Sequence, residues 1–97
     1  LKKFILEASA ENDLRTAARY YDNERRGLGK EFLADFHRTI VRVVEFPLAA
    51  PTIYKHVRKA RLDDFLFDVL YTLRDDMVAV FAVMHRRRNP DSWKKRI

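Results

Sequence analysis

The sequence predicts an α+β fold: an N-terminal strand, an antiparallel helical hairpin, a three-stranded antiparallel meander that completes a two-layer sandwich, and a short basic C-terminal segment. Three observations carry this prediction. The apolar residues recur at helical spacing in the first half of the chain and at every second residue in the second half. The only two glycines, Gly27 and Gly29, interrupt the helical half once. Two aspartate pairs, Asp63-Asp64 and Asp75-Asp76, divide the strand-like half into three.

Taken in order, residues 2–7 (Lys-Lys-Phe-Ile-Leu-Glu) read as a short strand. From about Ser9, Leu14, Ala17, Ala18 and Tyr21 follow the i, i+3, i+4, i+7 rule of a helix with one buried face. After the glycines, Leu28, Phe32, Leu33, Phe36, Ile40, Val43 and Val44 form a second stripe. It stops before Pro47, because a residue preceding proline avoids the helical region. Glu31, Asp35, Arg38 and Arg42 interleave on its polar side and read as a solvated face with i,i+4 pairing. Residues 47–51 form a loop. Strands are expected at 54–62, 65–74 and 77–86, joined by two-residue hairpin loops at the aspartate pairs. Residues 1–97 are expected to form a single domain.

Hydrophobic residues make up 47% of the chain and aromatics 12%, the composition of a folded rather than a disordered sequence. With no cysteine, a disulfide framework and a thiolate zinc site are both excluded, and no cofactor or metal is expected. No apolar run has the length of a membrane span, so the expected location is the cytoplasm.

Charge is unevenly placed. Residues 1–53 carry 9 basic and 8 acidic side chains, 54–62 carry four basic and none acidic, and 63–84 carry one basic and five acidic. The last thirteen residues, 85–97, hold six Lys or Arg against Asp91 alone, which is +5 of the net +6. Charge concentrated in this way favours an anionic surface. An embedded Trp93 and an Asn89-Pro90-Asp91 turn distinguish this segment from a disordered polybasic tail.

With two-residue loops, the strand faces follow. One face holds Tyr54, His56, Arg58, Ala60, Leu62, Phe65, Phe67, Val69, Tyr71, Leu73, Val78, Val80, Ala82 and Met84, and the helices are expected to cover it. The other holds the rows Arg61–Leu66–His85, Lys59–Asp68–Val83, Val57–Leu70–Phe81 and Lys55–Thr72–Ala79. Leu66, Leu70, Phe81 and Val83 then form an apolar strip with Lys55, Lys59 and Arg61 along its edge. Such a strip is either an open partner site or is capped by Trp93 as the C-terminal segment folds back. Arg61 and His85 share a row two strands apart, roughly 10 Å, a span that brackets a phosphodiester.

The ordered set Asp13-Leu14, Ala18, Tyr20-Tyr21, Glu24-Arg25, Gly27-Leu28-Gly29 with Phe32, Pro47, Pro51 and Val57-Arg58 carries a family resemblance, completed by His85-x-x-Arg88-x-Pro90-x-x-Trp93-x-x-Arg96. On these residues the chain resembles the RelE/ParE toxin superfamily of bacterial type II toxin–antitoxin systems, in its ParE-like, plasmid-stabilisation branch. It departs from the family at Phe65-Leu66-Phe67, where Phe-Pro-Tyr is usual. The resemblance implies a cognate, ParD-like antitoxin whose extended C-terminal segment wraps the toxin. It also implies one of two activities: poisoning DNA gyrase, as in ParE-like members, or cleaving mRNA on the ribosome, as in RelE-like members.

The expected function is the first, a toxin that acts by binding gyrase. Its antitoxin site is expected at Leu66, Leu70, Phe81, Val83, Lys55, Lys59 and Arg61. Its target-binding residues are expected at Arg86, Arg87, Arg88, Trp93, Lys94, Lys95 and Arg96. The alternative is an mRNA endonuclease with Arg61 or Arg58 as the phosphate clamp and His85 as the acid. That reading lacks a base, since Asp68 is the only carboxylate on the open face and pairs with Lys59. A third class is an inert relative that only binds DNA or its antitoxin. Neither a DNA-reading motif nor a base-stacking aromatic set is visible in the sequence.

Overall fold

The computed structural model describes residues 3–97; Lys2, the first residue of the expected N-terminal strand, lies outside them. Strand β1 (Lys3–Leu6) leads into helix α1 (Ala8–Glu24), and helix α2 (Leu28–Glu45) returns antiparallel to it. Four strands follow: β2 (Thr52–Tyr54), β3 (Val57–Arg61), β4 (Phe67–Arg74) and β5 (Met77–His85). A single 3-10 turn, Lys94–Arg96, ends the chain. The strands form one mixed sheet in the order β1-β5-β4-β3-β2, with β1 parallel to β5 and the other neighbours antiparallel.

The helical hairpin forms where the glycines predict it. Gly27 sits in the left-handed region at φ 89° and caps α2. Gly29 has no room for a side chain: a Cβ there would stand 2.4 Å from the Ala18 carbonyl oxygen. This close approach lets the backbone N–H of Gly29 donate to the Asp22 carboxylate at 2.9 Å. Ala10, Leu14 and Ala17 of α1 and Phe32, Phe36, Ile40 and Val43 of α2 bury their side chains against one sheet face. Leu33, expected on that stripe, is instead exposed.

The sheet differs from expectation in three places, each with a local cause. First, residues 54–62 are not one strand. Lys55 adopts a positive φ of 50°, so Tyr54 and Val57 pair across a tight turn and β2 becomes a separate fifth strand. Tyr54 thereby joins the face opposite the helices, and His56 lies exposed in the turn.

Second, the β3–β4 connection spans residues 63–66 rather than 63–64, and Leu62 pairs with Phe67 through a 3.1 Å backbone hydrogen bond. Arg61 therefore faces Asp68, and Lys59 faces Leu70. A shift of two residues leaves every β3 side chain on its expected face, since strand side chains alternate with period two. The cause is Asp35, read from the sequence as part of a solvated helix face. It is 0% exposed, and its carboxylate accepts the backbone N–H groups of Asp63, Asp64 and Phe65 at 3.1, 2.7 and 3.0 Å. A helix side chain thus shapes this turn.

Third, β5 carries a bulge. Tyr71 pairs with Val80 but Leu70 pairs with Ala82, so Phe81 is the extra residue. Beyond it the faces exchange. Val83 turns into the helix-side core, whereas Ala82 and Met84 join Phe81 on the other face, the reverse of what two unbroken alternating strands predict. The β4–β5 turn itself, with Arg74 opposite Met77, is as expected.

Candidate functional site

The apolar strip is closed. Leu70 and Phe81 are buried under Trp93, whose ring meets Phe81 and Tyr54 edge-on at centroid distances of 6.2 and 5.8 Å. Trp93 itself is 7% exposed. Of the two readings of this face, the fold-back cap is the one present. Leu70 and Phe81 are therefore core residues, Val83 faces the helices, and only Leu66 of the expected strip is exposed. Lys55 sits in the β2–β3 turn, away from Lys59 and Arg61 on β3.

The basic segment divides into anchoring and unengaged cations. Arg96 donates to both Asp13 oxygens at 2.6 and 3.1 Å and to the Phe81 carbonyl at 3.1 Å. Asp13 also accepts the Val83 N–H at 2.9 Å, and the Ser9 hydroxyl donates to the Phe81 carbonyl at 2.8 Å. These bonds satisfy β5 where β1, which pairs only as far as Val80, has ended. Arg86 is equally tied, to the Asp68 carboxylate at 3.2 Å and the Leu62 carbonyl at 2.9 Å. Lys94 pairs with Asp91 at 3.0 Å and stands 4.4 Å from the Tyr54 ring centroid. Of the seven expected target-binding residues, Arg86, Trp93 and Arg96 are tied into the fold, and Lys94 makes a local surface pair. Arg87, Arg88 and Lys95 are exposed and carry no ion pair among the described residues.

The residues named for a nuclease do not converge. Arg58 points to the helix side and donates to the carbonyls of Leu48 and Ala50 at 3.3 and 2.7 Å. Arg61, between the core residues Ala60 and Leu62, projects from the opposite face. His85 pairs with Phe67 on the helix side, their rings 5.2 Å apart. Asp68 is buried between Arg86 and, at 4.0 Å, Lys59, the setting of an ion-pair partner.

Two larger grooves are open among the described residues. One, of about 740 Å³, runs between the end of α2 and strands β2 and β3. Its apolar lining includes Phe46, Ala49, Pro51 and Ile53, and Arg42, Lys59 and Arg61 stand at its rim. Phe46 and Leu48 are 59% and 68% exposed. The sequence carries a sign of this surface that the strand reading passed over: the loop residues 47–51 are all apolar or small and hold no charge. The other groove, about 620 Å³, lies between α1 and the end of β5 beside Tyr20, Tyr21, Phe67 and His85. Burial, with the neighbouring Tyr20 adding to it, pushes the Tyr21 phenol above its usual range.

Among the described residues no helix is long and apolar enough to cross a membrane. Comparison with known proteins places this architecture. The family model described as ParE toxin of type II toxin-antitoxin system, parDE, matches residues 4–90. No curated protein matches the sequence. A chain from the solved chromosomal ParDE TA system of P. aeruginosa superposes with a TM-score of 0.76, covering 88% of this chain and 95% of that one. Its sequence identity of 11% makes this a likeness of fold.

Proposed function

Because the chain belongs to the ParE toxin family of type II toxin–antitoxin systems, we propose that it arrests growth in the cytoplasm by binding DNA gyrase and holding DNA in its cleaved state. A ParD-type antitoxin neutralises it. The observation that favours gyrase over mRNA cleavage is the dispersal of the would-be nuclease residues. Arg58 is bound to loop carbonyls, and Arg61 and His85 leave the sheet on opposite faces. General acid–base catalysis needs such groups within hydrogen-bond reach of one substrate.

The antitoxin surface in this reading is the α2–β2–β3 groove. Phe46 and Ile53 in the groove, with the exposed Leu48 in the adjoining loop, offer apolar contacts to a partner segment, and Lys59 and Arg61 at the rim favour acidic flanks on it. Strand β2 is also a sheet edge, open to main-chain pairing with an added strand.

Induction of the chain in cells, scoring chromosomal breaks against mRNA cleavage, tests the activity. Gyrase-dependent breaks with intact mRNA are expected; codon-phased mRNA cleavage without breaks would select the ribosome-dependent nuclease instead.

A further inference from the structure

The groove between α1 and the end of β5 plays no part in the function proposed above, and its chemistry is specific. Its floor is aromatic. Tyr21 and Phe67 lie 6.1 Å apart, Phe67 and His85 5.2 Å, each pair in a T-shaped arrangement. Tyr20 stands 5.3 Å from Tyr21 and is 59% exposed, so a planar ring is presented to solvent at the mouth. The α1 wall is polar, with Asn12 and Thr16.

The hydrogen-bonding direction of His85 is fixed. The backbone N–H of Arg87 donates to its Nδ1 at 3.0 Å, so in the neutral ring the proton sits on Nε2, which becomes a donor. The one carboxylate in the lining, Asp13, is neutralised by Arg96.

Cations lie on and beside this groove. Arg88 lines it and Arg87 precedes it in the same turn. Arg15 and Arg19 lie on α1 at three-residue steps from Asn12 and Thr16, and so flank the polar wall. All four are exposed, and none has a carboxylate partner among the described residues. Arg25, Arg38, Arg42, Arg74, Arg86 and Arg96 each have one, whereas Arg26 and Arg61, outside the lining, also have none among the described residues. Arg88 in the lining, with three more unpaired arginines on adjoining residues of the same turn and of α1, favours an anionic occupant.

We propose that this groove binds single-stranded nucleic acid, with bases stacked on Tyr20 and the aromatic floor and the arginines at the phosphates. Stacking faces beside unpaired cations are the elements of sequence-tolerant single-strand binding. The polar groups present, Asn12, Thr16, the Tyr20 hydroxyl and His85 Nε2, suit base edges better than aliphatic side chains. A volume of about 620 Å³ is large enough to admit unstacked bases. The inference concerns binding by the chain alone and stands apart from its toxicity.

Fluorescence anisotropy of the full chain with short labelled oligo-dT, oligo-rU and a duplex of equal length tests it. Single strands are expected to bind more tightly than the duplex, and the dT and rU arms identify which sugar is preferred. Log affinity against log salt is expected to fall with a slope of about −3, for four phosphates on a single strand. Tyr20→Ala is expected to weaken binding about tenfold through lost stacking. Arg19→Glu and Arg88→Glu are expected to weaken it by about fivefold or more through lost phosphate contacts. Lys30→Glu and Lys55→Glu, equal charge reversals away from the groove, leave it unchanged. Equal weakening by these two would reduce the binding to net charge and overturn the proposal. So would absent binding, or displacement by an aromatic-containing oligo-glutamate as effective as displacement by DNA, which would mark the groove as a peptide site.

Discussion

Arg96 and Asp13 are 83 residues apart in sequence and share a two-pronged ion pair at the edge of the sheet, with nitrogen–oxygen distances of 2.6 and 3.1 Å. The same Asp13 oxygen receives the Val83 N–H, and the same Arg96 nitrogen reaches the Phe81 carbonyl. One pair therefore fastens the last turn of the chain to α1 and to the bulged part of β5. Trp93, three residues earlier, is held over Leu70 and Phe81 as a consequence.

Arg96→Ala is expected to destabilise the fold by about 2 kcal/mol, and Asp13→Ala by somewhat more because it also strands the Val83 N–H. Both partners are partly solvated, which keeps these values below those of a fully buried pair. A double-mutant cycle by chemical denaturation checks this, with a coupling clearly above zero as the expected result. Purely additive losses would mean the pair is no anchor.

Trp93→Ala is expected to cost about 3 kcal/mol by opening a cavity over Phe81, lowering the melting temperature by about 10 °C or more. Lys95→Ala, exposed in the same segment, is expected to leave the melting temperature within about 2 °C, as for a surface substitution. Thermal denaturation of the two variants separates packing from charge in this segment.

Asp35→Ala removes the acceptor for three backbone donors from a fully buried position. A loss of about 3 kcal/mol is expected, and about half of that for Asp35→Asn, which keeps one acceptor oxygen. Amide exchange is expected to accelerate most at residues 63–65; uniform acceleration would deny Asp35 its role in the turn.

Much of this fold is legible in the sequence, and the failures share a cause. Periodicity identifies both helices, β4 and β5, because one buried face per element leaves a pattern along the chain. The glycines place the helical turn for the same local reason. Asp35 shapes its turn from 28 to 30 residues away, so no local pattern reports it. The Phe81 bulge lies within an unbroken apolar run in which either face assignment looks equally good, and it reverses Ala82, Val83 and Met84. For the site, segment charge locates the basic tail but cannot say that Arg86 and Arg96 are tied to carboxylates on β4 and α1. Trp93 was legible as a cap or as part of a contact surface, and three-dimensional packing decides for the cap.

Tyr71 supplies a pH dependence. Its phenol is buried and donates to the Pro47 carbonyl at 2.7 Å; burial raises its pKa above the usual 10, while nearby Arg58 lowers it in part. The unfolded chain therefore ionises first as pH rises, so this contribution is complete below about pH 10 and is lost as pH climbs towards the folded value. Tyr71→Phe is expected to cost about 1 kcal/mol at neutral pH and to flatten the alkaline decline in stability. Denaturation midpoints across neutral and alkaline pH check both; an unchanged alkaline slope would assign the decline to other groups.

Incubation of the purified chain with DNA gyrase, ATP and supercoiled plasmid tests the proposed activity most directly. The expected result is linear plasmid covalently attached to gyrase, released by protease digestion and suppressed by prior addition of a ParD-type antitoxin. Full gyrase activity with no cleaved plasmid, together with mRNA cut by the same preparation on translating ribosomes, would contradict it.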